Sequence, residues 1–462
     1  MAEWRNWSGS VAATPAAIVR PRTLAELAAC VAGATKLRVT GAGHSFMPLC
    51  ETAGTLVSLA DLEGGIEIAG DLAGGIAADL KGGSDAGLAG GSDADLKGGR
   101  AADPEAQSVW APAGWGLDRL TAALWAQGLS LINQGDINPQ ALAGATATGT
   151  HGTGAALGSI STHALGYRML LADGERIECS ERLHPELFQA QRLGLGLLGV
   201  ATEIRLAVLP AYHLEERVCR MALAEVVARL PELSAATRHM EFFVFPYSDD
   251  VIFKTLHPAA AEGEFKGGED IDESLFRRVC DIGVRAPKLI PAMQRTMMRA
   301  SGKPARRVGP AYRIFPSERS IRFEEMEYEF PRASGVAALQ AAIAHIRRQR
   351  LPIAFPFEYR LAAADDIWLS PFNRALVGEG GGASVSFHQY AKMPWAAHFR
   401  AIEGIFREHG GRPHWAKRHT LCTADVHRLY PRAGDFLAVR KTVDPRAKFA
   451  NAHLSTLFGI AA

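Results

Sequence analysis

The sequence predicts an α+β fold in at least two domains, and three observations carry that prediction. Short apolar strand-like runs alternate with amphipathic helical stretches through the chain. At 462 residues the chain exceeds the size of one typical domain. Two Gly-rich loops with almost no bulky side chains interrupt the first half, and small residues leave little to bury in a core but let a backbone approach a large flat ligand. The pattern changes after Pro210, so residues 1–210 are expected to form a first domain and residues 211–410 a cap with a large antiparallel sheet and flanking helices.

Taken in order, Ala16-Ala-Ile-Val-Arg-Pro21 reads as extended, and Thr23 with Glu26 three positions on reads as a capping box opening a helix. Leu24, Leu27, Ala28 and Val31 give that helix one apolar face, and Gly33 fits its stop. Lys36-Leu-Arg-Val-Thr40 is a strand that delivers the chain into Thr40-Gly41-Ala42-Gly43-His44-Ser45-Phe46. Gly41 and Gly43 permit a tight turn whose amides point inward, a nest suited to a pyrophosphate. Thr55–Leu59 is the next strand.

From Gly70 to about Gln107 the composition collapses to Gly, Ala, Asp, Leu and Lys, and Ala78-Asp-Leu-Lys-Gly-Gly83 recurs as Ala94-Asp-Leu-Lys-Gly-Gly99. Two repeats are too few for a solenoid, so this segment reads as a flexible insertion between two hairpin strands. Leu117–Gln127 is an amphipathic helix ended by Gly128. The second loop, Gly135 to Gly154, holds five glycines, four threonines and His151. A strand over 164–171 turns at Asp173-Gly174 into a second strand, and Gly194, Gly196 and Gly199 precede another at Val200.

In the cap, Glu241–Tyr247 and Val251–Thr255 read as paired strands, 262–272 as a charged loop, and 274–298 as helical but interrupted by Pro287 and Pro291. Helices are expected over 337–350 and 398–410. Phe355–Leu361 reads as a strand that puts Glu358 and Arg360 on one face. Charges in an otherwise apolar strand need a partner or a purpose. By the same period of two, Ser386, His388 and Tyr390 share a face.

A net charge of +1 excludes a strong electrostatic case for a nucleic-acid partner. No run is long enough to span a bilayer, which leaves peripheral membrane association open, and the N-terminus lacks the apolar core of a signal peptide. Six cysteines without C-x-x-C spacing predict free thiols, a cytoplasmic setting and no structural metal.

Together the two loops resemble the FAD-binding half of the vanillyl-alcohol-oxidase family, and within it the aldonolactone oxidases (gulonolactone and arabinonolactone types) and the alditol oxidases. The resemblance runs from Trp4-Arg-Asn-Trp-Ser8 to Phe449-Ala-Asn-Ala-His453, broken by the inserted segment, and Arg412-Pro-His-Trp-Ala-Lys417 resembles the H-W-x-K signature of the group. It implies a two-part PCMH-type FAD-binding domain to which residues 411–462 return, with FAD bonded covalently to His44. Implied cofactor contacts are Thr40, Gly41, Ala42, Gly43, Ser45 and Phe46 in the first loop; Gly135, Asp136, Ala141, Gly144, Ala145, Thr146, Thr148, Gly149, His151 and Gly152 in the second; and Gly199 and Val200 near the adenine end.

The same resemblance assigns Glu358, Arg360, His388 and Lys417 to catalysis and, with Asp136, to substrate binding; no metal is implied. Arg360 would bind a developing oxyanion, Glu358 would hold or deprotonate the reacting hydroxyl, and Lys417 would stabilise charge on the reduced flavin. Asp136 departs from the serine usual in the family. Gly135 stands where a side chain tends to block oxygen. The implied function is an oxidase of a sugar-acid 1,4-lactone, passing hydride to flavin N5 and reducing O2 to peroxide. Rival readings are a dehydrogenase using a cytochrome or quinone, an alditol oxidase acting on an open-chain polyol, and a flavin-binding scaffold.

Overall fold

Thr23 starts the first helix, Leu24–Gly33, its hydroxyl accepting the Glu26 N–H at 3.2 Å. The Glu26 carboxylate reaches past Thr23 to the Arg22 N–H at 2.8 Å, so the expected capping box closes one residue early. This is a computed structural model, and it describes residues 3–71, 107–261, 265–266, 273–300, 304–317 and 320–461. Leu27 and Val31 bury against Leu59 and against Leu37 and Val57 of a three-stranded parallel sheet built from Ala17–Val19, Thr55–Ser58 and Leu37–Thr40. Arg38 lies buried in the last of these strands and donates to the carbonyls of Leu49 (2.7 Å), Leu195 (2.8 Å) and Gly196 (2.8 Å), tying the first sheet to the 193–199 loop. Burial lowers its pKa to about 10, which leaves it charged at neutral pH.

The second sheet has six antiparallel strands in the order Arg176–Ser180, Ala164–Leu170, Val200–Pro210, Gln107–Pro112, Glu67–Asp71, with Leu129–Leu131 also paired to Val200–Pro210. Glu67–Asp71 and Gln107–Pro112 pair as the two arms of a hairpin, and residues 72–106 of the inserted segment lie outside the described residues. Leu117–Ala126 packs Leu117, Leu120 and Leu124 into this sheet's core. The same core takes Trp415 and Tyr430 from the C-terminal segment, Val426 from the helix Thr423–Leu429, Phe436 from Ala433–Val443, and Leu454 and Phe458 from Ala452–Phe458.

The third sheet has nine strands, all antiparallel, in the order Phe265–Lys266, Ala305–Pro310, His213–Ala222, Asp250–Ala259, His239–Val244, Phe357–Ala362, Gly382–Tyr390, Phe323–Pro331, Arg412–Pro413. One face is apolar and lies under the helices Leu223–Ala235, Arg332–Gln349 and Ala396–Glu408. Phe357, Tyr359 and Leu361 point into that layer fully buried, each contributing about 2 kcal/mol. Period two then turns Glu358 and Arg360 to the opposite face.

Three local expectations are corrected. The helix expected from Ala337 begins at Arg332, because Pro331 precedes the first turn, where a proline costs no hydrogen bond. The break expected at both Pro287 and Pro291 falls at 286–289 alone; Pro291 sits second in Ile290–Ala300, a position without an intrahelical N–H partner. Of the expected charged loop at 262–272, only Phe265–Lys266 is described, and it is an edge strand beside Val308 and Arg307.

Replacing residues 72–106 with a short turn should leave flavin content and turnover within a few-fold of the parent, since both hairpin arms pair without the inserted segment. Purified flavin-to-protein ratio and steady-state rate check this, and a collapse of either would assign the insertion a role in the fold or the site.

Candidate active site

The first loop and the second meet through a close contact that only glycine allows. A Cβ placed on Gly41 would stand 2.6 Å from the Ala141 Cβ, so the two backbones approach at this point. Gly43, at φ +71, turns the chain so that His44 faces inward, where its ring stacks on Trp7 with centroids 5.1 Å apart. Both loops wall a cavity of about 1460 Å³ that runs from Arg38 and Gly196 to the polar face of the nine-stranded sheet.

Thr40, Gly41, Ala42, Gly43, His44, Ser45, Gly135, Asp136, Ala141, Gly144, Thr148, His151, Gly199 and Val200 line this cavity. Five of the residues expected at the cofactor do not. Phe46 packs against Trp7 and Phe323 instead. The helix Leu142–Thr148 turns Ala145 and Thr146 into the core and presents Ala143, Gly144, Ala147 and Thr148 to the cavity. Gly149 caps that helix at φ +79, and Gly152 packs against Gln134, whose carbonyl would stand 2.3 Å from an added Cβ. The Gly/Ala lining, with amides in the Gly41–His44 turn, fits an elongated dinucleotide such as FAD, because side chains on those backbones would fill its path.

The opposite wall is a ladder of charges on neighbouring strands. Glu358 and Arg360 come from Phe357–Ala362, His388 from Gly382–Tyr390, and Glu325 and Glu327 from Phe323–Pro331, with Glu329 buried behind them on the same strand face. Lys417 enters from the C-terminal segment. That segment lies along the glutamate strand through His414 N–H to Glu327 O (3.0 Å) and Arg418 N–H to Glu325 O (2.9 Å), while Ala416 O accepts the Phe46 N–H at 2.7 Å. All four catalytic candidates line the cavity.

Their partners are specific. Lys417 Nζ donates to Glu325, lies 4.0 Å from Glu327, and stands 5.1 Å from the Phe46 ring centroid, so Phe46 supports the lysine from outside the cavity. Arg360 Nη2 donates to Glu327 Oε1 at 2.6 Å, its Nε lies 3.3 Å from Glu358 Oε1, and Ser384 Oγ also donates to Glu327 at 2.7 Å. His388 Nδ1 contacts Pro356 O at 3.0 Å. A carbonyl only accepts, so Nδ1 carries the proton, and Nε2, 3.4 Å from Glu325 Oε1, is the atom left to exchange one. His151 repeats the arrangement: Nδ1 donates to Gly152 O at 2.8 Å and Nε2 lies 3.0 Å from Glu327 and 3.7 Å from Glu329.

These contacts set protonation. Burial alone would lower the His151 pKa, but Glu327 and Glu329 outweigh it and hold it at about 9. Burial raises Glu329 to about 7 despite His151. Glu325 is opposed by burial yet held down to about 2 by Lys417 and His388, and Glu327 well below the usual range by Arg360 and His151. His44 falls to about 4, through burial first and the Lys417 cation second. Deeper in, Asp136 neighbours Glu358 and Glu241, and Glu241 is raised to about 7 by burial while Lys254 lies 3.0 Å from it.

Sequence reasoning passed over Glu325, Glu327, Glu329, His414, Lys254 and Arg38. The signal for the first three was present: Phe323-Glu-Glu-Met-Glu-Tyr-Glu-Phe330 alternates carboxylates with large apolar side chains at period two, the pattern of a strand with one acidic face.

Residues 204–457 match the family model described as D-arabinono-1,4-lactone oxidase, and residues 92–180 match an FAD binding domain. The chain is 34% identical to the L-gulono-1,4-lactone dehydrogenase of Mycobacterium tuberculosis over 99% of both chains. It is 27% identical to the L-gulonolactone oxidase of Scyliorhinus torazame over 99% of this chain and 98% of the relative. Cholesterol oxidase from B. sterolicum superposes with a TM-score of 0.77 at 15% identity, covering 99% of this chain and 96% of that one, which shows a shared fold.

The His151 contacts give a pH test. Its folded pKa of about 9 lies above the ordinary 6.5, so its stabilisation is complete below pH 6.5 and is lost as pH rises through 9. The unfolding free energy of the parent over His151→Asn should therefore shrink by up to about 3 kcal/mol across that window. Denaturant titrations of both proteins at its two ends measure this, and a gap that stays constant would mean that His151 is neutral in the folded chain.

Proposed function

Because this chain belongs to the D-arabinono-1,4-lactone oxidase family of FAD-binding oxidoreductases, we propose that it oxidises a secondary alcohol of a sugar-acid 1,4-lactone, with O2 as acceptor and FAD tethered through His44. The observation that carries the reading is the meeting of a small-residue dinucleotide wall with a polar wall of Glu358, Arg360, His388 and Lys417 in one cavity. FAD supplies the hydride acceptor; the residues supply everything else.

The Arg360 guanidinium, fixed by Glu327, binds the oxygen of the reacting carbinol and favours negative charge on it. As the hydride leaves carbon, the hydroxyl proton must leave oxygen. Glu358 holds that hydroxyl by hydrogen bond, and His388 Nε2, beside Glu325, is the group that can exchange the proton. Lys417 places a cation, held by Glu325, where negative charge would develop on the reduced cofactor. Asp136 and Lys254 also line the cavity and offer hydrogen bonds to further hydroxyls of the substrate, with Glu241 behind them 3.0 Å from Lys254. A neutral sugar lactone suits this wall, since the carboxylates and cations already balance one another. A polyol would meet the same donors and acceptors, but no observation favours it, and the scaffold reading leaves the charged wall unexplained.

The tether is supported by the state of His44, because an imidazole held at about 4 is neutral at working pH and keeps a ring nitrogen free to bond. His44→Ala should retain the fold but lose flavin on acid precipitation; flavin that still comigrates with the denatured variant would rule His44 out.

The M. tuberculosis relative is named a dehydrogenase, so the choice of O2 as acceptor carries its own test. Gly135 lines the cavity and is not among the positive-φ glycines, which removes the reading of it as a turn residue needing left-handed backbone. A Cβ there would stand 3.0 Å from His151 O, whose carbonyl also receives Arg360 Nη1 at 3.4 Å. Gly135→Ala should slow flavin reoxidation by O2 while turnover with a dye acceptor holds. Stopped-flow of the two half-reactions decides: an unchanged oxygen rate rules out Gly135 as the opening for O2, and a parallel loss of reduction traces the effect to the displaced His151–Arg360 contact.

A further inference from the structure

Resting on the lactone reading above, we propose that the cavity holds a second sugar subsite beyond the reacting centre. The preferred substrate is then a 1,4-lactone carrying a glycosyl group on a hydroxyl remote from the carbinol that is oxidised. Glu358 and Arg360 stand in the middle of the nine-stranded sheet, and His388, Glu325 and Lys417 all lie to one side of them. On the other side the cavity continues across His239–Val244, Asp250–Ala259, His213–Ala222 and Ala305–Pro310. Phe243, Ile252, Lys254, Val218 and Ala305 line it there. From Arg360 to Ala305 the floor crosses four strand spacings, about 19 Å, whereas a five-membered lactone ring is about one spacing wide. The reacting ring therefore leaves most of this annex to something attached to it.

Cross-strand pairing sorts the floor into an apolar row and a polar one. Phe243 stands opposite Glu358, and Ile252 stands opposite Phe243. In the next row Glu241 stands opposite Arg360, Lys254 opposite Glu241, and Val218 opposite Lys254. Lys254 Nζ lies 3.0 Å from Glu241 and 3.3 Å from Glu216, and Arg307 donates to Glu216 at 2.8 Å at the far edge. Alternation sends Phe242, Val244, Val251 and Phe253 of the same strands into the helix-covered layer. Phe243, Ile252 and Val218 instead face the cavity half-buried, outside every apolar cluster among the described residues. A half-buried phenyl beside Glu358 gains little from the core, so its surface is left for a ligand. A sugar ring has the two matching surfaces. Its C–H face covers the apolar row, and its hydroxyls meet Lys254, Glu216 and Arg307 at the edge. An alkyl chain would leave those charged groups facing hydrocarbon. Arg306, exposed at the outer end, also lines the cavity, so the annex opens to solvent there. The reaction is unchanged: hydride and proton leave the same carbinol, and the glycosidic bond stays intact.

Anaerobic reduction of the flavin-loaded chain tests the proposal, with L-gulono-1,4-lactone and the same lactone carrying a glucosyl group on its terminal hydroxyl. At low substrate, flavin reduction per unit concentration should be about tenfold faster with the glucosyl form. Equilibrium dialysis against the chain with its flavin held reduced, where neither lactone turns over, should show the same preference in binding. Phe243→Ala and, separately, Val218→Trp, which fills the annex, should each erase the preference with flavin content and melting midpoint unchanged. Equal or slower reduction by the glucosyl form, with the plain lactone active, would overturn the subsite and leave the lactone reading standing. Failure of both lactones to reduce the flavin would overturn that reading and the subsite with it. A preference that either substitution leaves intact would overturn the subsite alone. So would an octyl group on the same hydroxyl that gains as much as the glucosyl group, in favour of an apolar tail.

Discussion

Much of this structure depends on one requirement, that charges buried in a dry cavity must neutralise one another. Glu325, Glu327 and Glu329 stand on a single strand face with almost no solvent, and each alone would be costly to ionise. Their partners arrive from separate parts of the chain. His151 comes from the second loop of the first domain, Arg360 and His388 from neighbouring cap strands, and Lys417 from the C-terminal segment. Removing any one would strand a carboxylate or a cation, so the ladder couples the three regions.

The ladder also explains why the two walls of the cavity look so different. The loop wall can be made of glycine and alanine because it has only to present backbone at close range, as at Gly41 against Ala141. The sheet wall needs side chains of fixed direction, and a β-strand supplies them by alternation: Phe357, Tyr359 and Leu361 lock the strand under its helices, and that locking aims Glu358 and Arg360. Arg360 is then oriented by Glu327 and Glu358 before any substrate arrives, which is the preorganisation that a charge-stabilising group requires.

What the sequence made legible follows from these differences. Glycine-rich loops after a strand are local signals, so the first turn, the second loop and the paired strands of the cap could be read directly, as could the strand face carrying Glu358 and Arg360. Which residues of the second loop face the cavity could not, because that depends on seven residues winding into a helix that turns Ala145 and Thr146 inward. Phe46 illustrates another limit: it belongs to the motif, yet it acts from behind, beneath Lys417. The Glu-x-Glu-x-Glu strand was legible in pattern, but an exposed acidic face has the same pattern. Only tertiary contacts with Arg360, His151 and Lys417 tell the two apart.

The two histidines carry the synthesis one step further. His151 and His388 each commit Nδ1 to a backbone carbonyl and turn Nε2 to a glutamate, so neither can change tautomer without losing a hydrogen bond. Their surroundings differ in kind. His151 meets Glu327 and Glu329 in a fully buried setting and holds its proton to about pH 9, which makes it a fixed cation of the ladder. His388 meets only Glu325, a carboxylate that also accepts from Lys417, and its ring lines the cavity. The same residue type therefore serves as scaffold in one position and as a candidate proton carrier in the other, and the number of carboxylates within reach of Nε2, two for His151 and one for His388, separates the two.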